Sequence, residues 1–474
     1  MKEFKFVLLN KNFFCLVILF VFLRMMVPQA SADQTPVQES SGSELVFNKD
    51  DRIIVLAPHP DDEILGCAGI LQKAQERNIP IQIVFLTYGD ANEWAFLIDR
   101  KHPVVVPRAV ESMGLVRSNE AIKAAGYLGL RPQQVIFLGY PDFGTLNIWY
   151  QHWNDRHRYH SLLTKVDAVP YPNAFRFGAA YKGEEVLRDL ETILRDFKPT
   201  KIFVSHPADH NGDHNAFYLF MRVALWDLQD LINPEIYPYL VHFVPWAKKK
   251  GYYPLEEMEP PARLKEKIAW KIDSLSEEEV LRKREALKQH ATQYRSSQKY
   301  LESFVRADEL FGEFPILKIS EDATIHELAI KQEDNDGYPA KEVLTEEERN
   351  LFVGLEEQTL SLEGANLNFH FKLSRPLGKT VGLSLCIFGY KENYSFERMP
   401  KLRIKIGAIF HQIFDQNKKI PGQGIKIKRK LKQITISIPM DLLGNPDKIL
   451  TSAHTYLGSL LSDYPVWRVV EILP

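Results

Sequence analysis

Two short segments of the chain are rich in side chains that bind metals or move protons. The first is His59-Pro60-Asp61-Asp62-Glu63. The second runs from His206 to His214, with three histidines and two aspartates in nine residues. Neutral imidazoles and carboxylates together form a ligand set that suits zinc, and three protein ligands leave one position for water. These residue types indicate a catalytic metal site.

The first segment also has a purely structural interpretation. Asp61 and Asp62 would lie in the first turn of a helix, where carboxylates cap the end and interact favourably with the helix dipole. This explanation does not extend to the second segment, because so many ionisable groups each need a partner when buried. The two segments together therefore favour one shared site.

Alternating strands and helices position both segments. Four apolar runs predict buried strands, and three amphipathic patterns predict helices between them. The strands are 53–57, 81–87, 135–139 and 201–205, and the helices are 61–77, 117–129 and 184–196. The alternation predicts an α/β fold with a doubly wound, mostly parallel sheet that is Rossmann-like. Such sheets bind ligands at the carboxyl ends of the strands, where both segments would lie.

The two segments resemble the signature of the LmbE/PIG-L family of zinc-dependent N-acetylglucosaminyl deacetylases. His59 to Glu63 matches the family's His-Pro-Asp-Asp-Glu motif, and Asp213-His214 matches the end of its second motif. The stretch Arg117 to Glu120 resembles the family's Arg-x-x-Glu helix. The resemblance covers residues 48–311 as one deacetylase-like domain.

The resemblance implies a role for each residue of the two motifs. His59, Asp62 and His214 would bind one Zn²⁺ ion, and Asp61 would be the general base. Bound zinc lowers the pKa of water from about 15.7 toward about 7. Attack on an acetamide carbonyl would then release acetate and a free amine.

The second motif departs from the family pattern at one position. Many members have a histidine where this chain has Asn211, which can donate a hydrogen bond but cannot transfer a proton. His210 or His206 could take the acid role, and spacing does not distinguish them. Asp213 is a catalytic candidate, with orientation of a ligand histidine as its alternative.

Several residues outside the two motifs are candidates for contacts with a sugar. Arg117 is expected to reach the substrate, and Asp142 is the second substrate-binding candidate. The aromatic stretch Trp149–Trp153 could stack on a sugar ring, with core packing as the alternative. The long irregular segment His152–Tyr181 could form a lid or rim.

The N-terminus predicts export. Lysines precede an apolar run and an Ala-Ser-Ala site, which is typical of a signal peptide over residues 1–32. An uncleaved membrane anchor is the alternative, although the run is short for a span. Residues 33–47 are predicted to be a flexible leader, and no stable membrane span is expected after cleavage. Cys67 and Cys386 are predicted to be buried thiols.

The last third of the chain has a different pattern. Residues 318–474 contain runs of alternating polar and apolar residues, which predict half-buried strands and a β-sandwich. Carbohydrate binding is one interpretation of this domain, and a purely structural role is the other. Trp467 is predicted to belong to its core.

The composition excludes one class of partner and leaves three functions open. Lys and Arg number 59 and Asp and Glu 61, so the chain has no electrostatic footprint for nucleic acid. The leading hypothesis is removal of an acetyl group from an exported, N-acetylated amino sugar, free or polymeric. The alternatives are an amidase for a larger acyl group or a sugar conjugate, and a non-catalytic glycan-binding protein.

Overall fold

The structure is a computed structural model that describes most of the chain after residue 41. The described residues are 42–91, 106–243, 246–247, 249–321, 324–325, 346, 350–458, 460–461 and 465–473. The predicted signal peptide and residues 33–41 of the predicted leader lie outside them. Residues 42–47 differ from the expected flexible leader. Strand β1 (Ser43–Glu44) pairs with a later strand and Leu45 is buried, because an apolar side chain here can join the core.

A five-stranded parallel sheet forms the centre of the α/β domain (residues 48–311). Its strands are β2 (Ile53–Ala57), β3 (Ile81–Phe85), β4 (Val135–Phe137), β5 (Lys201–Ser205) and β6 (Glu235–Tyr239). They lie in the order β4-β3-β2-β5-β6, and all neighbours are parallel. From β2 the chain adds β3 and β4 on one side of the sheet, and it then adds β5 and β6 on the other side. The switch point of the sheet therefore lies between β2 and β5.

Helices cover both faces of this sheet. They are α1 (Asp62–Glu76), α2 (Pro107–Tyr127), α3 (Thr145–Gln151), α4 (Gly183–Phe197), α5 (Gly212–Asp227), α6 (Glu277–Leu287) and α7 (Ala291–Leu301). Within β2, Ile53 and Val55 enter one hydrophobic core and Ile54 and Leu56 enter the other. A strand buried on both faces is the reason for its continuous apolar sequence.

Short elements complete the α/β domain. A three-stranded sheet is made of β1, β7 (Lys271–Ser274) and β8 (Asp308–Phe311). Single 3₁₀ turns occur at Pro132–Gln134, Asp155–His157 and Glu302–Phe304. The segment His152–Tyr181 is otherwise built from turns, as expected for an irregular connection.

The C-terminal β region (residues 317–473) contains two further sheets. The strands are β9 (Leu317–Ile319), β10 (Thr324–Ile325), β11 (Leu355–Glu363), β12 (Asn366–Leu373), β13 (Val381–Tyr390), β14 (Lys401–Ile406), β15 (His411–Asp415), β16 (Lys418–Ile420), β17 (Lys426–Lys430), β18 (Gln433–Pro439), β19 (Lys448–Leu457), β20 (Leu460–Leu461) and β21 (Arg468–Ile472). One sheet has the order β10-β11-β12-β18-β17 and the other β16-β15-β14-β13-β19-β21-β9, with β20 beside β19. A single hydrophobic core contains residues of both sheets.

The larger C-terminal sheet is buried on its other face as well. Leu385 and Ile387 of β13 enter the core shared by the two sheets, whereas Phe388 enters a core of the α/β domain. There Trp149 stacks near Phe388, with ring centroids 5.4 Å apart, and Trp467 lies beside both rings. Trp149 and Trp153 are fully buried in this contact. They are therefore core residues, and core packing is the alternative that the structure supports.

The main predictions of fold class are confirmed. The first part of the chain is an α/β fold with a parallel sheet, and the second part is rich in strands. Cys67 and Cys386 are buried and unbridged. The fifth strand of the parallel sheet, β6, was not predicted. Within the described residues, no helix is both long and apolar enough to cross a membrane.

Candidate metal centre

The first two predicted metal ligands come from the turn that follows β2. His59 lies two residues beyond the strand, and Asp62 is the first residue of α1. The Nδ1 atom of His59 is 3.2 Å from Oδ2 of Asp62, and the His59 backbone N–H donates to the same oxygen at 2.9 Å. The turn therefore holds imidazole and carboxylate side by side.

The third predicted ligand, His214, lies in the first turn of α5. Its Nε2 atom is 3.1 Å from Oδ2 of Asp62. One ligand atom from each of His59, Asp62 and His214 lies within 4.8 Å of the other two. Because α5 follows β5 and α1 follows β2, the three residues meet at the switch point of the sheet. The structure thus brings the predicted ligands together.

The chemistry of this donor set fits a divalent cation such as zinc. Two imidazoles and one carboxylate form a set that occurs in catalytic zinc sites, where a fourth position is left open. His59, Asp62 and His214 are all buried. The Nε2 atom of His214 makes no hydrogen bond, although the Asp62 oxygen is 3.1 Å away. A buried nitrogen in this position requires another partner, which a cation would supply.

Two carboxylates lie behind His59, on the side of its other ring nitrogen. Nε2 of His59 is 3.1 Å from Oδ1 of Asp142 and 3.2 Å from Oδ2 of Asp213. Burial by itself would lower the pKa of His59, but the charge of Asp142 and the hydrogen bonds to the carboxylates outweigh it and raise that pKa well above its usual value. Carboxylates in this position fix the orientation of ligand histidines.

Asp213 has further contacts that set its position. Its Oδ2 accepts the backbone N–H of Phe143 at 2.6 Å, and its Oδ1 accepts that of Thr145 at 3.1 Å. Although His59, Asp142 and Asp213 could also group around a cation, both oxygens of Asp213 are already used by backbone donors. The geometry favours the orienting role of Asp213 over the catalytic one. Asp142, which was predicted to bind substrate, also lies beside the Nε2 atom of His59 and can orient its ring.

Asp209 plays the same part for His214 and was missed as a functional residue. Its Oδ2 lies 3.3 Å from Nδ1 of His214 and accepts the backbone N–H groups of Val241 and His242 at 3.1 and 2.9 Å. Despite burial, the charge of the His214 imidazolium and the hydrogen bond with it lower the pKa of Asp209. The sequence signal for Asp209 was its position in the segment from His206 to His214. The sequence did not show that this carboxylate would lie beside Nδ1 of His214.

Asp61, the predicted general base, has a strained backbone. Its φ angle is 128°, in a region that residues other than glycine rarely adopt. Glu63 stabilises this conformation, because its Oε2 accepts the Asp61 N–H at 2.9 Å and its Oε1 lies 2.8 Å from Nε2 of His290. Burial raises the pKa of Asp61 to about 7, against the opposing charge of Arg117. The side chain lines the cavity beside Asp62.

Arg117 connects the first motif with the loop after β3. Its guanidinium donates to the backbone carbonyls of Gly89 and Pro60, and Nη2 lies 3.5 Å from Oδ2 of Asp61. The side chain is buried but borders the cavity. Glu120, one turn further along α2, holds α7 by accepting from the N–H and hydroxyl of Thr292.

Asn211 and the two candidates for the acid role, His206 and His210, lie in different places. Asn211 borders the cavity, and its side-chain oxygen caps α5 by accepting the N–H of Asp213 at 2.8 Å. His206 and His210 are not among the residues that line the cavity. His206 is buried between aromatic rings, and burial lowers its pKa to about 3; burial also lowers the pKa of His210 to about 3. Neither geometry supports a role in proton transfer.

His242 is the imidazole that borders the cavity opposite Asn211, and it was missed. It lies three residues beyond β6, which was itself not predicted. Its ring centroid is 4.8 Å from that of His214, and its Nδ1 is 3.1 Å from the hydroxyl of Tyr300. Burial lowers the pKa of His242 to about 4, so the ring is neutral near pH 7. Tyr300, from α7, also lines the cavity, whose volume is about 100 Å³.

Comparisons with known proteins agree with this site. Residues 54–225 match the sequence model of the PIG-L family, described as GlcNAc-PI de-N-acetylase. The chain is 27% identical over 165 residues to 1D-myo-inositol 2-acetamido-2-deoxy-alpha-D-glucopyranoside deacetylase 1 of Saccharopolyspora erythraea, an alignment that covers 34% of this chain and 48% of that protein. The chain thus spans about half the length of this curated relative.

The solved structures that are similar to this chain have low sequence identity to it. N,N'-diacetylchitobiose deacetylase from Pyrococcus horikoshii is 18% identical, with 55% of this chain and 82% of that chain covered and a TM-score of 0.34. GalB, the 4-carboxy-2-hydroxymuconate hydratase from Pseudomonas putida KT2440, is 16% identical, with coverage of 56% and 98% and a TM-score of 0.34. These similarities are too weak to define an activity.

The motifs, their placement and the family match therefore agree on one identification. His59 to Glu63 and His206 to His214 both fall inside the matched residues 54–225. Residues 54–225 are similar to the PIG-L (LmbE) family.

Proposed function

We propose that this protein is an exported, zinc-dependent deacetylase of an N-acetylated amino sugar or glycan. The observation that carries the proposal is the convergence of His59, Asp62 and His214 within 4.8 Å, with Asp61 beside them on the wall of one cavity. The match to a de-N-acetylase family and the curated deacetylase relative support the reaction type.

A divalent cation held by His59, Asp62 and His214 would acidify water and polarise the acetamide carbonyl. Asp61 is placed to accept the proton of the attacking water, because its carboxylate borders the same cavity. Arg117, 3.5 Å away, holds this carboxylate in position. Asp61 then returns the proton to the leaving amine, so that one residue serves as base and acid.

His242 and Asn211 take the place of the histidine that many family members have in the second motif. Both border the cavity. A neutral imidazole can donate its N–H to the carbonyl oxygen as negative charge develops there. This role requires the tautomer with its proton on Nε2, in which the Tyr300 hydroxyl donates to Nδ1 of His242 instead of to the Val241 carbonyl. Asn211 would position the amide, since its side-chain oxygen is already used to cap α5.

The size of the cavity favours acetyl over a larger acyl group. Its volume is about 100 Å³, roughly three times the share of one molecule in liquid water. An acetyl group fits this space, whereas a long acyl chain would have to extend out of the cavity. The sugar ring would then lie outside the cavity, near Arg117 and Phe143. Export by the predicted signal peptide would place the substrate outside the cytoplasm.

The experiment is an acetate-release assay on a matched series of glucosamine derivatives. Mono- and oligosaccharides carrying N-acetyl, N-butyryl or N-octanoyl groups would be incubated with the zinc-loaded protein and with Asp61→Asn. We expect release from the N-acetyl compounds alone, and loss of release in Asp61→Asn. Preferred release of octanoate would show a larger-acyl amidase. Glycan binding without any release by the zinc-loaded protein would show a binding protein and contradict the proposal.

A further inference from the structure

A second cluster of charged residues lies on the larger C-terminal sheet, on the face that packs against the α/β domain. The strand register places Lys405, Ser384 and His454 in one row across β14, β13 and β19. Arg403, Cys386 and Ser452 form the next row. Side chains two residues apart on a strand share a face, so the two rows are neighbours.

Ser384, Cys386 and Ser452 of this cluster have small side chains, whereas Arg403, Lys405 and His454 have longer ones. Ser384 and Cys386 of β13 therefore form the floor of a trough between β14 and β19. Aromatic rings mark its two ends. The Tyr456 ring lies where a side chain on Gly382 would be, and the ring of Tyr150, from α3, lies 5.9 Å from the Arg403 guanidinium carbon.

No described carboxylate forms an ion pair with Arg403, Lys405 or His454. Burial and the neighbouring Arg403 lower the pKa of Lys405. Burial and the two cations lower the pKa of His454 to about 4. The contacts of Lys405 and Arg403 that the structure shows are with aromatic rings, those of Tyr456 for the first and of Tyr150 and Phe414 for the second. Neighbouring cations without an anion between them repel each other, and this repulsion lowers the stability of the folded protein.

Polar atoms of the trough also lack partners. Oγ of Ser452 makes no hydrogen bond, although only 2% of this residue is exposed. Nε of Arg403 and Nδ1 of His454 are likewise buried atoms without a hydrogen-bond partner. Buried polar groups are normally paired, so this set is short of acceptors.

We propose that this trough binds an oxyanion carried by a glycan, with Arg403 and Lys405 on one side and Ser452 and His454 on the other. The oxyanion is a phosphate or carboxylate substituent, and the rings of Tyr456 and Tyr150 would contact the adjoining sugar. Tyr150 belongs to α3, whose first residue, Thr145, is hydrogen-bonded to Asp213 behind the metal centre. Five residues of helix span about 7.5 Å, so a polymer could contact trough and cavity together.

The test is calorimetric titration of the full-length protein with three probes. These are a hexuronic-acid oligosaccharide, a phosphorylated oligosaccharide and a neutral oligosaccharide of equal length, each with inorganic phosphate as competitor. We expect at least one anionic probe to bind more than tenfold tighter than the neutral one, to weaken with salt and to be displaced by phosphate. The anion that binds more tightly identifies the source of the charge.

Variants locate the binding. Arg403→Gln and Lys405→Gln should each weaken the anionic probe about tenfold or more, because each removes one charge-assisted contact. Lys372→Gln is the matched control, since Lys372 lies on the other sheet near Glu356. Equal binding of anionic and neutral probes, or equal losses in all three variants, would overturn the proposal. If a variant fails to fold, the salt dependence of anionic-probe binding to the wild-type protein still tests the proposal.

This binding measurement does not use acetate release. Its failure would therefore leave the proposed catalytic function untouched, and loss of the catalytic function would leave the trough intact.

Discussion

The metal centre and the C-terminal trough hold charged side chains in opposite ways. In the metal centre each ligand histidine faces carboxylates, with Asp142 and Asp213 behind His59 and Asp209 behind His214. In the trough Arg403 and Lys405 have no described carboxylate partner. Since burial disfavours an unbalanced charge, the excess in each region indicates the ligand that balances it. The first region suits a cation and the second an anion.

The difference also shows how orientation and charge are divided between residues. Around the metal centre, backbone N–H groups fix Asp209 and Asp213, and these carboxylates fix the imidazoles. In the trough the cations contact aromatic rings, which position them without neutralising them. A histidine that binds a metal must have its ring held in one orientation. A cationic side chain that binds an anionic glycan substituent must instead keep its charge free of a carboxylate partner.

The largest expected effect separates two neighbouring carboxylates of the metal centre. Asp61→Asn should keep the metal and lower turnover by roughly 10²- to 10⁴-fold, because the general base is lost. Asp62→Asn should lose the metal, because one ligand is weakened. Metal content and acetate release measured on both variants check this. Equal metal loss in the two would contradict the division of labour.

The next effect tests the carboxylate behind His214. Asp209→Asn should weaken metal affinity about 10- to 100-fold, since the imidazole loses the group that orients it. Competition with a chelator measures that affinity. Asp230→Asn is the control and should leave metal affinity unchanged. Asp230 is an exposed carboxylate that follows the C-terminal end of α5, the helix that carries His214. If both variants bind metal as the wild type does, Asp209 does not position His214.

A smaller effect is expected where Arg117 approaches the loop after β3. Gly89 has a φ of 65°, and an added Cβ would lie 2.2 Å from Nη1 of Arg117. Gly89→Ala should displace the guanidinium and lower kcat/KM about tenfold, while metal content stays the same. Gly126→Ala is the control, since nothing lies near its Cβ and alanine favours the helix α2. An unchanged kcat/KM in Gly89→Ala would show that catalysis does not depend on the position of the Arg117 guanidinium.

The smallest effect concerns Glu191 and Asp227, two neighbouring carboxyl groups that belong to neither region. Burial and the neighbouring Asp227 raise the pKa of Glu191 to about 7. The folded state therefore holds this proton more tightly than the unfolded state, so stability falls as pH rises from about 4.5 to about 7 and stays at the lower level above that pH. Glu191→Gln should raise the thermal midpoint by roughly 1–3 °C at pH 8 and leave it unchanged at pH 4. Equal midpoints at pH 8 would contradict the raised pKa.

Much of the metal centre could be predicted because its parts are local. His59 and Asp62 lie three residues apart in a turn after an apolar strand, and His214 opens a helix after another such strand. Strand ends in a parallel sheet fix where such turns meet. The partners that orient them are not local. Asp209 acquires its role through the backbone of Val241 and His242 in a different loop.

One element that the sequence missed and one question that it left open have different physical causes. Strand β6, which leads to His242, contains Pro238 and the exposed Glu235, and proline is tolerated there because β6 lies at the edge of the sheet. Trp149 and Trp153 were candidate sugar contacts because nothing nearby in the sequence covers them. The C-terminal sheet, more than 200 residues later, buries both.

The central claim is that two distant turns hold one cation, and native mass spectrometry of the zinc-loaded protein tests it most directly. Wild-type protein should carry one zinc ion per chain, and His214→Ala should carry none at the same free zinc concentration. A wild type without zinc, or a His214→Ala variant that keeps its ion, would contradict the account.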